Sequence, residues 1–311
     1  MKLINAQAHN GDRSSTFKKE GLVLFLLSLP FIVLIFALFY VPLFGWIYAF
    51  FDYLPGLSLF QCKFVGLKYF YLLFNDGGYM INALKNTLGM SFLTILCSPL
   101  PVIFAVMISE APSNWFKKFV QSTTTLPNFV SWIIVFSLAY SVFASTGTLN
   151  NLLQFLHINV TTNLLGDDSI VWFFQTALNQ WKTLGWSAII YLAAIAGIDS
   201  ELYDAASVDG AGRFRKIIHV TLPGISSTFV VILLLSASNL LSLGLDQYMV
   251  FYNSLVADHI ETIDYYVYRT GLLSNDYSFA TAIGTSKTVV SIILLFSING
   301  ISKKIRGNSI I

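Results

Sequence analysis

Between Asp199 and Pro223 the chain gathers charged, small and helix-breaking residues into one interval. Glu201 and Asp204 fall in the first turns of an expected short helix, where a carboxylate meets the positive end of the helix dipole. Ala205 and Ala206 follow, and their small side chains let another surface come close. Gly210 and Gly212 bracket a sharp break. Arg213, Arg215 and Lys216 come next, and Leu222-Pro223 is expected to open a longer helix. These residue types predict a short helix parallel to a membrane, a hinge and a second short helix. An ordinary amphipathic surface helix fits the same pattern, and the residues alone do not separate the two.

Other chemistry is thin. His9, His157, His219 and His259 are scattered and share no helix face, and neither a metal spacing nor Gly-x-Ser-x-Gly occurs. Cys62 and Cys97 form no disulfide framework or zinc cluster, and Cys97 in its apolar run reads as a small buried hydrophobe. Gly284-Thr-Ser-Lys287-Thr288 looks like a phosphate loop but lacks the glycine before lysine and the preceding strand. Asn159-Val-Thr161 is a glycosylation triplet of a kind common by chance. The chain is therefore read as no enzyme, with no cofactor or metal of its own.

The elements that must position the loop are membrane spans. Of 311 residues, 55% are hydrophobic and 11% charged, against roughly 25% charged in a soluble domain. Mean hydropathy is +0.69. A formal charge of +2 is too weak for a phosphate-binding surface, so nucleic acid is not expected as a partner. A span needs about 20 apolar residues. The runs predict six: Gly21 to Phe51, Asn86 to Ser109, Leu126 to Ala144, about Leu178 to Ile198, Val220 to Leu245, and about Phe279 to Gly300. None alternates as a barrel strand would. The fold expected is all-α with six transmembrane helices. Residues 1–20 form a tail, 21–302 the membrane domain containing the 199–223 loop, and 303–311 a second tail.

Lysine and arginine set the orientation. With the amino terminus inside, the inner segments carry Lys2, Arg13, Lys18, Lys19, Lys117, Lys118, Arg213, Arg215, Lys216, Lys303, Lys304 and Arg306. The outer ones carry only Lys63, Lys68, Lys85 and Arg269. Both termini are thus expected in the cytoplasm. The outer segment from about Asp246 to Ser278 is long for a connection and is expected to fold back into the membrane boundary. No Asp or Glu falls inside a predicted span, which argues against a secondary carrier. Lys287 stands on the order of 10 Å below the outer end of span six. It is read either as a snorkelling or paired lysine, or as a group lining a watery path.

The loop spacing resembles the EAA motif of binding-protein-dependent ABC importer permeases: Asp204-Ala205-Ala206, then Gly210, then Val220 and Leu222-Pro223. Asp replaces Glu and Val replaces Ile. Further segments resemble the oligosaccharide and polysaccharide-fragment branch of that family. They include Phe39-Tyr40-Val41-Pro42, Asn86-Thr87, Leu126-Pro127, Trp181-Lys182 with Gly185-Trp186, and Ala280-Thr281-Ala282-Ile283-Gly284. Phe51 departs from the pattern, since that branch often carries Lys before Asp52-Tyr53.

The resemblance implies the type I importer permease fold and carbohydrate import by alternating access across a bacterial cell membrane. It implies two ATPase subunits that bind ATP and Mg, a second and different permease chain, an extracytoplasmic solute-binding protein, and surrounding lipid. It places Asp204, Ala205, Ala206, Gly210, Leu222 and Pro223 at the ATPase contact. A permease for a non-sugar solute is the alternative.

Overall fold

A computed structural model describes residues 10–158 and 162–306; Asn159-Val-Thr161 lies outside the described residues. Helix α1 (Asn10–Ile35) continues through a wide turn at Phe36–Tyr40 and a tighter 3-10 stretch at Val41–Phe50. A two-stranded antiparallel ribbon follows, β1 (Phe51–Asp52) with β2 (Lys63–Phe64), in the register Phe51 opposite Phe64. Short α2 (Lys68–Leu72) leads to α3 (Tyr79–Leu96) and α4 (Pro99–Ser109), which together make one long span. Then come α5 (Asn114–Thr125), α6 (Trp132–Phe143), α7 (Thr148–Phe155) and α8 (Val171–Ala196). The 199–223 loop holds α9 (Ser200–Val208) and α10 (Arg213–Lys216), and α11 (Leu222–Ser238) leaves it. Three short helices, α12 (Asp246–Phe251), α13 (Ala257–Ile260) and α14 (Ile263–Tyr268), precede the long α15 (Tyr277–Arg306).

Among the described residues, five helices are long and apolar enough to cross a membrane, six if the bent pair α8 and α9 counts as one. In the apolar window of Gly21–Phe50 no residue is buried within the chain, so this span presents its apolar surface outward. The packed interior forms three clusters. Val102, Ala105, Ala188, Tyr191 and Ile225 pack near the loop end. Met90, Val135, Val171, Phe251 and Ile260 pack at the middle and far end. Ala49, Tyr69, Ile263, Tyr266 and Ile283 join the last span to the ribbon side.

Several sequence expectations shift. Span two begins at Tyr79, so Lys85, expected in a loop, lies on the helix. Span four begins at Val171 rather than about Leu178, so Lys182 sits near its middle. Its first half carries Gln175, Thr176 and Asn179, which lower the hydropathy but are covered by protein; Gln175 is 2% exposed and accepts from Gln247 Nε2 at 2.8 Å. Span five does not open at Leu222-Pro223. Its helix starts at Arg213 and passes through a wide turn at Ile217–Thr221, where Leu222 N–H reaches back to Ile217 O. Pro223 has no N–H and its ring crowds the carbonyl four residues earlier, so the wide turn next to it accommodates the ring.

The segment 246–278 does fold back. Asn86, 1% exposed, donates its amide to Asp258 O at 2.9 Å and Glu261 O at 3.0 Å. Thr87 Oγ1 accepts from Ile263 N at 2.9 Å. Glu261 and Arg269 form a two-pronged ion pair, 2.7 Å and 3.2 Å, with the guanidinium over the rings of Tyr79 and Tyr266. Burial pushes the Glu261 carboxyl above its ordinary range, and the facing guanidinium opposes that.

Candidate functional site: a braced loop and two mid-depth pockets

Asp199 caps α9, its carboxylate accepting from Glu201 N at 3.0 Å. The short helix bends 68° away from α8. It ends at Gly210, whose φ of +71° a side-chain-bearing residue adopts only with strain. Asp204, Ala205 and Gly210 are exposed and Ala206 is half-buried. Leu222 and Pro223 are exposed too, on the helix that leaves the loop.

Three side-chain contacts brace the loop. Tyr203 Oη and Thr221 Oγ1 are 3.0 Å apart, joining α9 to the root of α11. Lys216 Nζ donates to Ser207 Oγ at 2.6 Å. Arg213 Nε donates to Glu110 Oε2 at 2.6 Å, joining the loop to the end of α4. Gly224 adds a close approach, because a Cβ there would meet the Ile198 side chain at 2.7 Å. α9 is thus joined to the root of α11 and to α10, and α10 in turn to the end of α4. The carboxylate of Asp204 makes no hydrogen bond or ion pair among the described residues and is open to a basic partner.

Two breaks between helices lie level with the middle of α8, where Lys182 stands. α5 and α6 are separate helices joined by a 3-10 turn at Leu126–Phe129, which frees peptide carbonyls. Lys182, 7% exposed, donates to Pro127 O at 3.2 Å and Asn128 O at 2.7 Å, with Trp132 beneath its ammonium. Beyond α11 the chain turns at Gly244, φ +88°, and its freed N–H donates to Asp264 Oδ2 at 3.1 Å. Each break is thus covered by a charge of the matching sign, a cation for carbonyls and a carboxylate for an N–H. Unpaired backbone in a membrane is tolerated where protein or a watery cavity meets it.

Cavities open at both breaks. One of about 220 Å³ is walled by Asn128, Trp132, Asn179, Lys182, Thr183 and Asp246. The other, about 720 Å³, is walled by residues including Trp46, Asp264, Tyr268, Tyr277, Thr281 and Lys287. Both share Gly244 and Leu245 as lining. Lys287 stands ten residues into α15, about 15 Å from its start and deeper than the sequence implied. It is ion-paired with Asp264, the two side chains being 15% and 19% exposed. The pairing half of the expectation for Lys287 is met, and the residue also lines a cavity. An acid does therefore reach the bundle interior, carried by the folded-back segment rather than by a span. The sequence reading named Lys182 only within a family-like segment, and it assigned no site role to Lys182, Asn179, Trp132 or Asp264. Gln175 and Thr176, seven and six positions before Lys182, were a signal that its helix runs further than the apolar run.

The model of the family described as "Binding-protein-dependent transport system inner membrane component" matches residues 98–307. The chain belongs to that family. The resemblance read from the loop is therefore correct, and the chain is a multi-pass permease component of a bacterial membrane. It is 38% identical over 319 residues to the polygalacturonan/rhamnogalacturonan transport system permease protein YteP of Bacillus subtilis (strain 168), covering 98% of each chain. It is 38% identical over 285 residues to Protein LplB of the same organism, covering 90% of this chain and 88% of that protein. Among solved structures it is similar to a chain of a bacterial alginate ABC transporter in complex with an alginate pentasaccharide-bound periplasmic protein. The TM-score is 0.84 with 32% identity, covering 94% of this permease and 97% of that chain. The permease fold expected from the sequence is thus present.

Proposed function

We propose that this permease moves carbohydrate, an oligosaccharide or glycan fragment, inward by alternating access. The observation that carries the reading is the pair of helix breaks level with the middle of α8, each opening into a cavity whose wall holds a tryptophan together with hydroxyl or amide side chains. Sugars present hydroxyl-rich edges and apolar faces, and such cavities offer both amide and hydroxyl partners and indole rings. The relatives transport polygalacturonan or rhamnogalacturonan and alginate, which supports the sugar class.

The chain itself binds no nucleotide in this reading. Two separate ATPase subunits bind ATP and Mg and hydrolyse the nucleotide. Asp204, Ala205, Ala206 and Gly210 meet one of them on the cytoplasmic side, with Leu222 and Pro223 at the root of the moving helix. A second, different permease chain completes the path, and a solute-binding protein delivers the sugar at the far end. ATP-driven closure would push α9, and the Tyr203, Lys216 and Arg213 contacts would carry that push to the spans. Lys287 and Asp264 form part of the path wall.

The test is uptake by the whole transporter in proteoliposomes with its binding protein. The probes are labelled galacturonate trisaccharide and arabinotriose. ATP-dependent accumulation of either supports the reading. Accumulation of neither, with the complex intact, counts against carbohydrate as the cargo.

A further inference from the structure

A third cavity, of about 260 Å³, lies on the far-end side of the mid-depth pocket. The two occupy successive positions along the same pair of walls. On α6, Trp132 lines the mid-depth pocket, while Phe136 and Tyr140 line the far-end one. These residues recur every four positions, so they form one stripe rising about 12 Å along the helix. On the opposite wall Asp246 and Gln247 line the lower pocket, and Phe251 to Leu255 the upper. Between the pockets Phe251 meets Phe136 edge-to-face at 5.1 Å and Trp132 at 6.5 Å.

We propose that the far-end cavity is an outer subsite for one sugar ring of the cargo, held against Tyr140 and separated from the mid-depth pocket by the Phe136–Phe251 contact. The inference rests on the carbohydrate reading above and adds a second station to it. Tyr140 is 55% exposed and shares the cavity wall with Tyr252, whose ring packs at a tilt against Tyr265 with centroids 4.5 Å apart. Asn253 is held by Leu165 O at 3.0 Å and accepts from Leu255 N at 3.0 Å, which sets the loop's shape. The side chains of Tyr140, Asn163, Tyr252 and Ser254 make no hydrogen bond among the described residues, so their polar atoms are free for hydroxyls. Aromatic faces beside uncommitted amide and hydroxyl groups match the two chemical faces of a sugar ring. A lipid tail would use only the first of these, and an inorganic ion only the second.

The aromatic stripe gives the ring a continuous apolar surface toward the lower pocket. Movement inward then requires Phe251 to part from Phe136, and both rings sit on elements that flank the breaks at Pro127 and Gly244.

The experiment compares Tyr140→Ala, Tyr140→Phe and Ser254→Trp in the whole transporter, at saturating binding protein. It measures uptake of whichever of the two probes wild type imports. Tyr140→Ala is expected to lower the maximal uptake rate about three- to tenfold, the scale of a lost ring contact. Tyr140→Phe keeps the ring and is expected to stay within about twofold of wild type. Ser254→Trp fills the exposed cavity and is expected to block uptake. Assembly and basal ATP hydrolysis should be unchanged in all three. Wild-type uptake in both Tyr140→Ala and Ser254→Trp overturns the subsite while leaving the carbohydrate reading intact. If wild type imports neither probe, the carbohydrate reading fails and the subsite falls with it.

Discussion

The hydroxyl of Tyr203 stands 3.0 Å from Thr221 Oγ1, and this contact ties the exposed helix of the 199–223 loop to the root of span five. Thr221 is 1% exposed, so its end of the bond is fixed in the bundle. Tyr203→Phe removes one hydrogen bond worth about 0.5–1.5 kcal/mol and leaves the ring in place. The variant is expected to assemble normally and to move less sugar per ATP hydrolysed. Paired measurements of uptake and hydrolysis give that ratio, and an unaltered ratio would show that the bond does not transmit.

Gly210 ends the same helix at φ +71°. Proline requires φ near −65°, so Gly210→Pro must redirect the chain. We expect loss of co-purifying ATPase or hydrolysis without uptake. Gly210→Ala, with a smaller strain, should fall between. Wild-type transport by the proline variant would remove this loop from coupling.

Lys287→Met keeps the stem of the side chain but strands Asp264 in a mostly buried position. The single variant is expected to lower both stability and uptake, whereas Lys287→Met with Asp264→Asn should regain the melting temperature. If the pair lines the path, uptake stays low in the double variant. Recovery of uptake along with stability would mark the pair as structural only.

Gly185 of α8 meets α5 where a Cβ would collide with the Thr124 carbonyl. Gly185→Ala forces two backbones apart, at a cost of about 1–3 kcal/mol. A lowered melting temperature of the purified complex is the readout, and an unchanged one would mean that α5 and α8 are less closely packed.

Orientation is open to direct labelling in a variant lacking Cys62 and Cys97. Cysteine at the exposed position Ser207 should resist a membrane-impermeant thiol reagent in intact cells, and cysteine at exposed Ser274 should react. The reverse pattern would place the loop outside, out of reach of an ATPase.

The sequence displayed five of the spans because lipid-facing surface must be apolar wherever it is continuous, and it displayed the fourth only in part, since the first half of α8 is polar. The loop was legible from spacing alone, since its glycines and charges lie within one interval. The break at Gly244 was not legible, and Pro127 announced a kink without announcing the side chain that covers it. What makes them tolerable is Lys182, 54 to 55 residues away, and Asp264, 20 residues away. Each cavity draws its lining from several distant segments, so no local pattern announces it. Lys287 was visible as an anomaly, but its partner came from a stretch that reads as an outer loop.

Asn86 carries a consequence for how the chain is made. Its amide is satisfied by Asp258 O, 172 residues later. A ribosome delivers span two to the membrane long before that carbonyl exists, so the nascent helix must hold a polar group with no permanent partner. The first half of the protein then waits, half-finished, on the last third. A chain truncated before residue 258 should be recognised as incomplete by membrane quality-control proteases at the site of Asn86.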